Sequence, residues 1–355
     1  MSHFSLLRGL LPLLLALTLS SQAQADKPEV IRIGVAAQGG GDPPTVGGTT
    51  AATVQQQGLL EKEFQADGIK VEWVFFKGAG PAVNEALANH QLDFAYEGDL
   101  PSVLARANGI KTRLLLASGV RSDVKLAVPT GSEIHSIKDL KGHKVGIFRG
   151  TNLQLVVDNV LAANGLSERD LQVINLDTTS ALAALAAKGI DASFSDFTLY
   201  KLQDLGLVKI IDESNQAGPQ FTRQAHLLVL EDFDKAHPDL VQRVVNQFVQ
   251  GAHWSSEEQN RPALFKQWAR SGIPENVWAT EFKNDELKVR NSPLIDPFLI
   301  ARYTSVATQA LQLKLIRQPV EVDNWFEPAY LDQALRTQKL EHYWTRYDAN
   351  GKALS

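Results

Sequence analysis

Residues 144–161 read KVGIFRGTNLQLVVDNVL and combine a strand-like apolar run with a helix-like pattern. Its first part, KVGIF, is a short apolar run typical of a buried strand. The residues at 149–152, Arg-Gly-Thr-Asn, favour a turn and the start of a helix. The apolar residues after the turn, spaced as on one helix face, are Leu153, Val156, Val157, Val160 and Leu161. The stretch therefore predicts a strand, a turn and an amphipathic helix, which together form the repeating unit of an α/β protein.

The same unit recurs towards the amino terminus. Predicted strands span residues 30–37, 70–76, 92–99 and 112–119. Predicted helices span residues 53–64, 78–91 and 100–109. Strands and helices that alternate over short connections indicate a largely parallel sheet with helices on its faces.

A second run of strands and helices begins near residue 125. Its predicted strands span residues 126–129, 144–148, 171–176 and 190–197, and its main helices span 151–165 and 180–189. A strand at 226–230 follows, and the rest of the chain is mostly helical, with Trp254, Phe265 and Trp268 expected in the core. We therefore predict two α/β lobes, residues 30–124 plus 225–350 and residues 125–224. Crossovers near 120–126 and 221–228 would place a ligand cleft between the lobes.

The first 25 residues have the pattern of a secretory signal peptide. One charged residue, Arg8, precedes an apolar run, and the segment ends in Ala23-Gln24-Ala25. The apolar run is about 11 residues long, shorter than the ~20 residues that a membrane-spanning helix needs. We therefore expect cleavage after Ala25 and a free protein in the periplasm.

Composition argues against several classes of function. The chain has a net charge of −5 and no basic run, so no nucleic-acid partner is expected. It contains no cysteine, and its eight histidines form no H-x-x-x-H or H-E-x-x-H pair. No G-x-S-x-G sequence marks a nucleophile. We therefore predict no catalytic residue, no metal and no cofactor.

Three segments carry a resemblance to a known family. They are LKGHKVGIFRGTN at 140–152, LDFAYEGDLPSVLARANG at 92–109 and VLEDFDKAHPDLVQRVV at 229–245. They resemble segments of the periplasmic substrate-binding proteins of ABC importers, in the aliphatic sulfonate, taurine and nitrate group. The likeness runs from about residue 31 to about residue 340. It implies a type II periplasmic binding protein fold that closes on its ligand by a hinge and delivers it to a membrane permease.

The helix start at 150–152 is the first candidate for ligand binding. Free amides and the helix dipole can hold an anion there, and Gly150 allows the backbone to approach a ligand. The resemblance implies that Gly150, Thr151 and neighbouring Asn152 hold the ligand's oxyanion. An ordinary helix cap with no ligand explains the same residues.

Other candidates lie at the ends of predicted strands or at the start of a predicted helix. Arg121 could bind a sulfonate, sulfate or carboxylate through two N–H groups. The candidates besides the helix start are Gln38, Gly39, Gly78, Glu97, Asp99, Ser118, Arg121, Thr178 and Ser195.

The chain also departs from the sulfonate-binding pattern. Residues 191–198 read DASFSDFT, so the tryptophans usual in this segment of the group are absent. Glu97 replaces a residue that is usually neutral. This acid and Asp196 could point away from the ligand, pair with Arg121 or Arg223, or match a ligand with a cation or many hydroxyls.

The sequence thus predicts the solute-binding component of an ABC importer, expected to be a monomer. Its expected ligand is a small organic anion, first an alkyl sulfonate or sulfate ester. Nitrate, taurine and pyrimidine precursors remain open, as does an exported enzyme on the same fold.

Overall fold

The computed structural model describes residues 27–354, so the predicted signal peptide lies outside the described residues. The strands are β1 Val30–Val35, β2 Lys70–Phe75, β3 Phe94–Gly98, β4 Thr112–Ala117, β5 Lys125–Pro129, β6 Lys144–Ile147, β7 Gln172–Asn175, β8 Ala192–Ser195, β9 Val208–Glu213 and β10 Ala225–Leu230. The first helices are α1 Thr50–Gln56, α2 Leu59–Phe64, α3 Ala79–Ala88, α4 Asp99–Ala107, α5 Asn152–Ala163, α6 Thr178–Ala186 and α7 Leu199–Asp204. The later helices are α8 Glu231–Ala236, α9 Pro238–Ser256, α10 Arg261–Trp268, α11 Glu275–Glu281, α12 Leu287–Arg290, α13 Pro297–Gln312 and α14 Pro328–Gln338.

Two five-stranded sheets organise the chain. The first has the order β2-β1-β3-β10-β4 and the second has the order β7-β6-β8-β5-β9. Each sheet contains one strand that runs antiparallel to both of its neighbours. In the first sheet it is β10, between β3 and β4, and in the second it is β5, between β8 and β9. The predicted two-lobed α/β fold is confirmed. We call the lobe with the first sheet lobe 1 and the lobe with the second sheet lobe 2. The exact lobe boundaries stay a prediction, with β5 beginning at Lys125 and β10 at Ala225.

Helix α5 buries the face that its sequence predicts. Its five apolar residues are between 0 and 6% exposed and pack with Val145 and Ile147 of β6. Burying side chains of this size stabilises a fold by roughly 1.5–3 kcal/mol each. The strand-turn-helix prediction for 144–161 is therefore confirmed.

Two predictions about individual elements were wrong or incomplete. The single helix predicted at 53–64 is broken into α1 and α2 at Gly58, whose φ of 61° is left-handed and ends a regular helix. Helix α7 and strand β9 were not predicted. Strand β9 lies at the sheet edge and is only half-buried over most of its length, so its sequence lacks the continuous apolar run of a central strand.

The carboxyl-terminal aromatics form core, as predicted. Trp268 is fully buried, Phe265 is 7% exposed, and Trp254 packs at the edge of the same cluster. The ring of Trp268 meets that of Trp278 edge-on at 5.5 Å between centroids. These helices thus stabilise lobe 1 through ordinary aromatic packing.

The two crossovers between the lobes lie side by side. The Ser122 amide donates to the Arg223 carbonyl at 3.1 Å, and the Arg223 amide donates to the Ser122 carbonyl at 2.6 Å. The chain therefore passes between the lobes through one short antiparallel bridge.

A buried ion cluster sits beside this bridge. Lys125 Nζ lies 2.6 Å from Asp123 Oδ1 and 2.7 Å from Glu281 Oε2, and no side chain of the three is more than 5% exposed. Arg290 also contacts Glu281, at 3.3 Å. Burial alone would lower the pKa of Lys125, but Glu281 and Asp123 outweigh it and raise the pKa above its usual value. The lysine is therefore charged at neutral pH and links β5 to the helices of lobe 1.

Within residues 27–354, no helix combines the length and the apolar character needed to cross a bilayer.

Replacing Lys125 with Met should destabilise the protein by roughly 3–5 kcal/mol, because it leaves two buried carboxylates without their main cation. Denaturant unfolding at neutral pH measures the loss. Lys144→Met is the matched control, since Lys144 lies exposed on β6 and its loss should change stability by less than about 0.5 kcal/mol. Equal unfolding midpoints for the two variants would contradict a structural role for the cluster.

Candidate functional site

The start of α5 is a fully engaged helix cap. Gly150, at a φ of 77°, turns the chain out of β6. The Thr151 hydroxyl donates to the Phe148 carbonyl at 2.7 Å and accepts from the Leu153 amide at 3.3 Å. The Gly150 amide donates to Gln154 Oε1 at 2.8 Å. The hydroxyl of Thr151 therefore already has two partners within lobe 2.

Arg149 does not direct its charge into the site. Its guanidinium binds the Glu168 carboxylate, with Nε 2.9 Å from Oε2, and the side chain is 45% exposed. The positive character of this helix start therefore comes from the backbone of α5.

The same helix start meets lobe 1 at close range. A Cβ atom built on Gly98 would lie 2.5 Å from the side chain of Asn152, and one built on Gly150 would lie 3.1 Å from Pro81. Gly98 ends β3 and Pro81 is in the first turn of α3. The structure thus brings four predicted site residues close together. They are Gly150 and Asn152 from lobe 2, and Glu97 and Asp99, which flank Gly98 in lobe 1. We call this contact between the starts of α3, α4 and α5 the seam.

Two polar contacts join the lobes next to the seam. Thr179 Oγ1 donates to Gln38 Oε1 at 3.2 Å, and Lys77 Nζ lies 3.7 Å from Asp177 Oδ2. Thr178, the first residue of α6, is half-buried. The loops after β1 and β2 therefore face the start of α6, which places Gln38 and Thr178 at one edge of the lobe contact.

Two candidate glycines have local structural roles. Gly39 packs against Phe75 and Pro44, each 2.9 Å from the position of a built Cβ. Gly78 immediately precedes α3 and is exposed.

An aromatic pair closes the other edge of the lobe contact. Phe197 from lobe 2 packs on Trp278 of α11 with 4.5 Å between ring centroids. Asn276 Nδ2 also donates to Asp204 Oδ2 at 2.7 Å. The sequence pattern of residues 191–198 did not predict this pairing, because Trp278, a fully buried ring, lies on a helix about 80 residues later.

Ser118 and Ser195 are both buried near the crossovers. Ser118 is fully buried and its hydroxyl accepts from the Ala51 amide at 3.2 Å. Ser195 ends β8, is 2% exposed and pairs in register with Lys125. Ser118 therefore helps to orient the start of α1.

Arg121 is held between two aromatic rings. Its guanidinium carbon lies 4.5 Å from the centroid of Phe298 and 4.1 Å from that of Tyr347. Burial lowers its pKa, although Tyr347 and Asp296 favour its charged form. This stacking, which sequence patterns could not show, fixes the side chain against α13.

The acids Glu97, Asp99 and Asp196 have different surroundings. Asp196 accepts from the amide and hydroxyl of Thr198, so it caps a local turn. Asp99 accepts from the amides of Leu100 at 2.8 Å and Gln224 at 2.9 Å, yet burial raises its pKa to about 7. None of the three forms an ion pair with Arg121 or Arg223 among the described residues.

Glu97 is the most unusual acid of the seam. It is 1% exposed, and burial raises its pKa to about 8, with partial compensation from a hydrogen bond donated by Ser102. It is therefore largely a neutral acid at pH 7.

A sequence profile of the family described as NMT1/THI5 like matches residues 61–261, more than half of the chain. The chain belongs to the NMT1/THI5-like family. Within residues 27–354, no group of three His, Asp or Glu side chains has a geometry that could hold a metal ion.

Two relatives resemble most of the chain. A Methylobacillus flagellatus KT structure, provisionally named as the periplasmic sulfonate-binding protein SsuA of a sulfonate ABC transporter, is 31% identical with a TM-score of 0.77. That match covers 90% of this chain and 97% of the other. A Bacillus subtilis (strain 168) protein, provisionally named an aliphatic sulfonates-binding protein, is 25% identical over 287 residues, 79% of this chain and 83% of its own length.

The fold also occurs in an enzyme. The desulfurization enzyme DSZB is 17% identical with a TM-score of 0.65, over 88% of this chain and 100% of the other. This likeness shows the fold alone. The present sequence contains no cysteine.

Gly98→Ala should weaken ligand binding, because its new methyl group would overlap Asn152 and hold the lobes apart. Overpacking of about 1–3 kcal/mol corresponds to a loss of about 5- to 150-fold in affinity. Calorimetric titration measures this loss.

Gly189→Ala is the control for the Gly98 variant, since a Cβ there meets its nearest atom at an ordinary 3.5 Å. Wild-type affinity in Gly98→Ala would show that ligand binding does not require the lobes to meet at the seam.

Proposed function

We propose that this protein is the extracytoplasmic solute-binding component of an ABC importer. Its ligand is a small organic anion, in the first place an alkyl sulfonate or a sulfate ester taken up for its sulfur. After removal of the first 25 residues it works in the periplasm as a monomer and delivers its ligand to a permease in the inner membrane. The SsuA and aliphatic sulfonate-binding names of its relatives support this proposal.

The observation that carries the proposal is the seam between the lobes. Helices α3, α4 and α5 contain 10, 9 and 12 residues, and all three begin there. Most of the first amides at these helix starts already donate within the protein. Each start still carries the partial positive charge of its helix dipole. Three such starts facing one contact favour an anion over a neutral or cationic solute.

The crossovers support a hinge that opens and closes this contact. Within residues 27–354, only two stretches of backbone join the lobes, and they pair with each other at Ser122 and Arg223. A rotation confined to this bridge would admit a ligand and then exclude water from it. Such a cycle suits a carrier that releases its ligand unchanged.

Titration of the purified protein with a panel of anions tests the ligand. The panel contains linear alkanesulfonates, methyl sulfate, taurine, nitrate and orotate. Saturable binding should be tightest for a sulfonate or the sulfate ester, and mass spectrometry should recover that ligand unchanged. Tightest binding of nitrate or orotate would overturn the ligand class, and continued heat with new products would indicate an enzyme.

Small-angle scattering tests the hinge. The radius of gyration should decrease when the tightest ligand of the panel is added at saturation, because the lobes close on it. An identical scattering profile with and without a ligand that demonstrably binds would argue against hinge closure.

A further inference from the structure

One carboxyl oxygen at the seam has no partner. Glu97 is 1% exposed, and while Oε1 lies 2.7 Å from Ser102 Oγ, its Oε2 has no hydrogen bond among residues 27–354. A Cβ built on Gly80 would lie 3.4 Å from Oε2, so this oxygen faces the first turn of α3. A buried polar atom without a partner is costly and calls for an explanation.

A chain of buried hydrogen bonds connects Glu97 to Ser102, His226 and Tyr303. His226 contacts Tyr303 through Nδ1 and lies 2.9 Å from Ser102 through Nε2. Burial lowers the pKa of His226 to about 3, so the ring is neutral and carries one N–H. The hydroxyl of Tyr303 has no other acceptor within the described part of the chain, so it donates to Nδ1, and Nε2–H donates to Ser102.

This direction decides what Glu97 presents to the seam. Ser102 Oγ lies 2.7 Å from two acceptors, Glu97 Oε1 and the Gly98 carbonyl oxygen, and can donate its proton to either. If Ser102 donates to Glu97 Oε1, the carboxyl proton of neutral Glu97 resides on Oε2, which is then an unused donor. If Ser102 donates to the Gly98 carbonyl, the carboxyl proton can reside on Oε1, and Oε2 is then an unused acceptor. The three helix starts favour the first arrangement at a loaded site, since they attract an anionic acceptor and repel a cationic donor.

We propose that Glu97, as a neutral acid, donates a hydrogen bond from Oε2 to an oxygen of the bound anion. It thereby selects an oxyanion that has no ammonium group near this position, and it couples binding to pH. This inference rests on the proposed function and narrows the substrate class of the same site.

The elements packed around Glu97 carry other groups that titrate or are charged. They are Arg32 on β1, Glu85 on α3, Tyr96 on β3, Asp99 and Arg106 on α4, Asp158 on α5, His226 on β10, and Arg302 and Tyr303 on α13. Burial raises the pKa of both Asp99 and Asp158 to about 7. A variant that removes only the Glu97 proton therefore separates its contribution from theirs.

Calorimetry from about pH 6 to about pH 9.5 tests the proposal, with the tightest ammonium-free sulfonate of the panel as the probe. The wild-type dissociation constant should rise above about pH 8, towards tenfold per pH unit, as Glu97 loses its proton. Glu97→Gln keeps an N–H donor that does not titrate, so this rise should be absent. Glu97→Leu should weaken binding at pH 7 by about ten- to a hundredfold.

The matched control is Glu61→Gln. Glu61 lies on α2, accepts from Trp73 Nε1 at 2.9 Å through Oε1, and likewise leaves its Oε2 without a partner. This variant should keep the wild-type pH profile. Thermal unfolding of each variant verifies that it is folded before titration.

Three outcomes would overturn the inference, and they are distinguishable. Equal pH profiles for wild type and Glu97→Gln would assign Glu97 a structural role only. Binding of taurine that strengthens above about pH 8 and is lost in Glu97→Gln would mean that the carboxylate binds an ammonium group. If neither the wild type nor Glu61→Gln binds any sulfonate at any pH, the proposed function itself fails.

Discussion

The two crossovers pair with each other at Ser122 and Arg223, and this pairing fixes where the chain enters and leaves lobe 2. Two backbone hydrogen bonds keep these segments side by side, so the two lobes are joined at one end only. The buried ions around Lys125 lie next to this bridge and tie β5 to Glu281 of lobe 1. Because a buried charge needs its partner, these ions limit how far the first crossover can move from the helices of lobe 1.

Strand direction follows from this constraint. Strand β4 ends near the Ser122–Arg223 bridge. The next strand, β5, therefore runs away from the bridge into lobe 2, and β10 runs away from the bridge into lobe 1. These two strands are therefore antiparallel to their neighbours, while the other strands of each sheet end at the contact between the lobes. The helices that follow those strands begin at the same place. The convergence of three helix starts at the seam is thus a consequence of topology, as in other α/β folds that bind ligands at the carboxyl ends of strands.

Sequence patterns predicted what depends on local periodicity. The apolar face of α5 and the two runs of strands and helices have spacings that a single segment reveals, and the structure confirms them. The break at Gly58 was missed because glycine is tolerated within many helical patterns. The edge strand β9 was missed because a half-buried strand lacks a strong apolar signal.

The candidate site was less predictable because its contacts join distant segments. Trp278 meets Phe197 across about 80 residues, and Arg121 reaches Phe298 and Tyr347 across more than 170. Spacing within one segment carries no information about such pairs. Thr151 illustrates the opposite problem, since a capping threonine and a ligand-binding threonine have the same sequence pattern.

Glu97 shows where a family resemblance stops being informative. The solved relative at 31% identity shares the architecture, but the chemistry of a site depends on single side chains. Burial raises the pKa of Glu97 from 4.5 to about 8, so the folded state binds its proton more tightly than the unfolded state does. The protonated carboxyl therefore contributes fully to stability below about pH 4.5, and this contribution is lost as the pH rises through about 8. The loss is on the order of a few kcal/mol. A glutamine of the same shape would avoid that penalty. A buried acid that weakens the fold near neutral pH, and that directs a free oxygen towards the seam, is better explained by what it binds than by what it packs against.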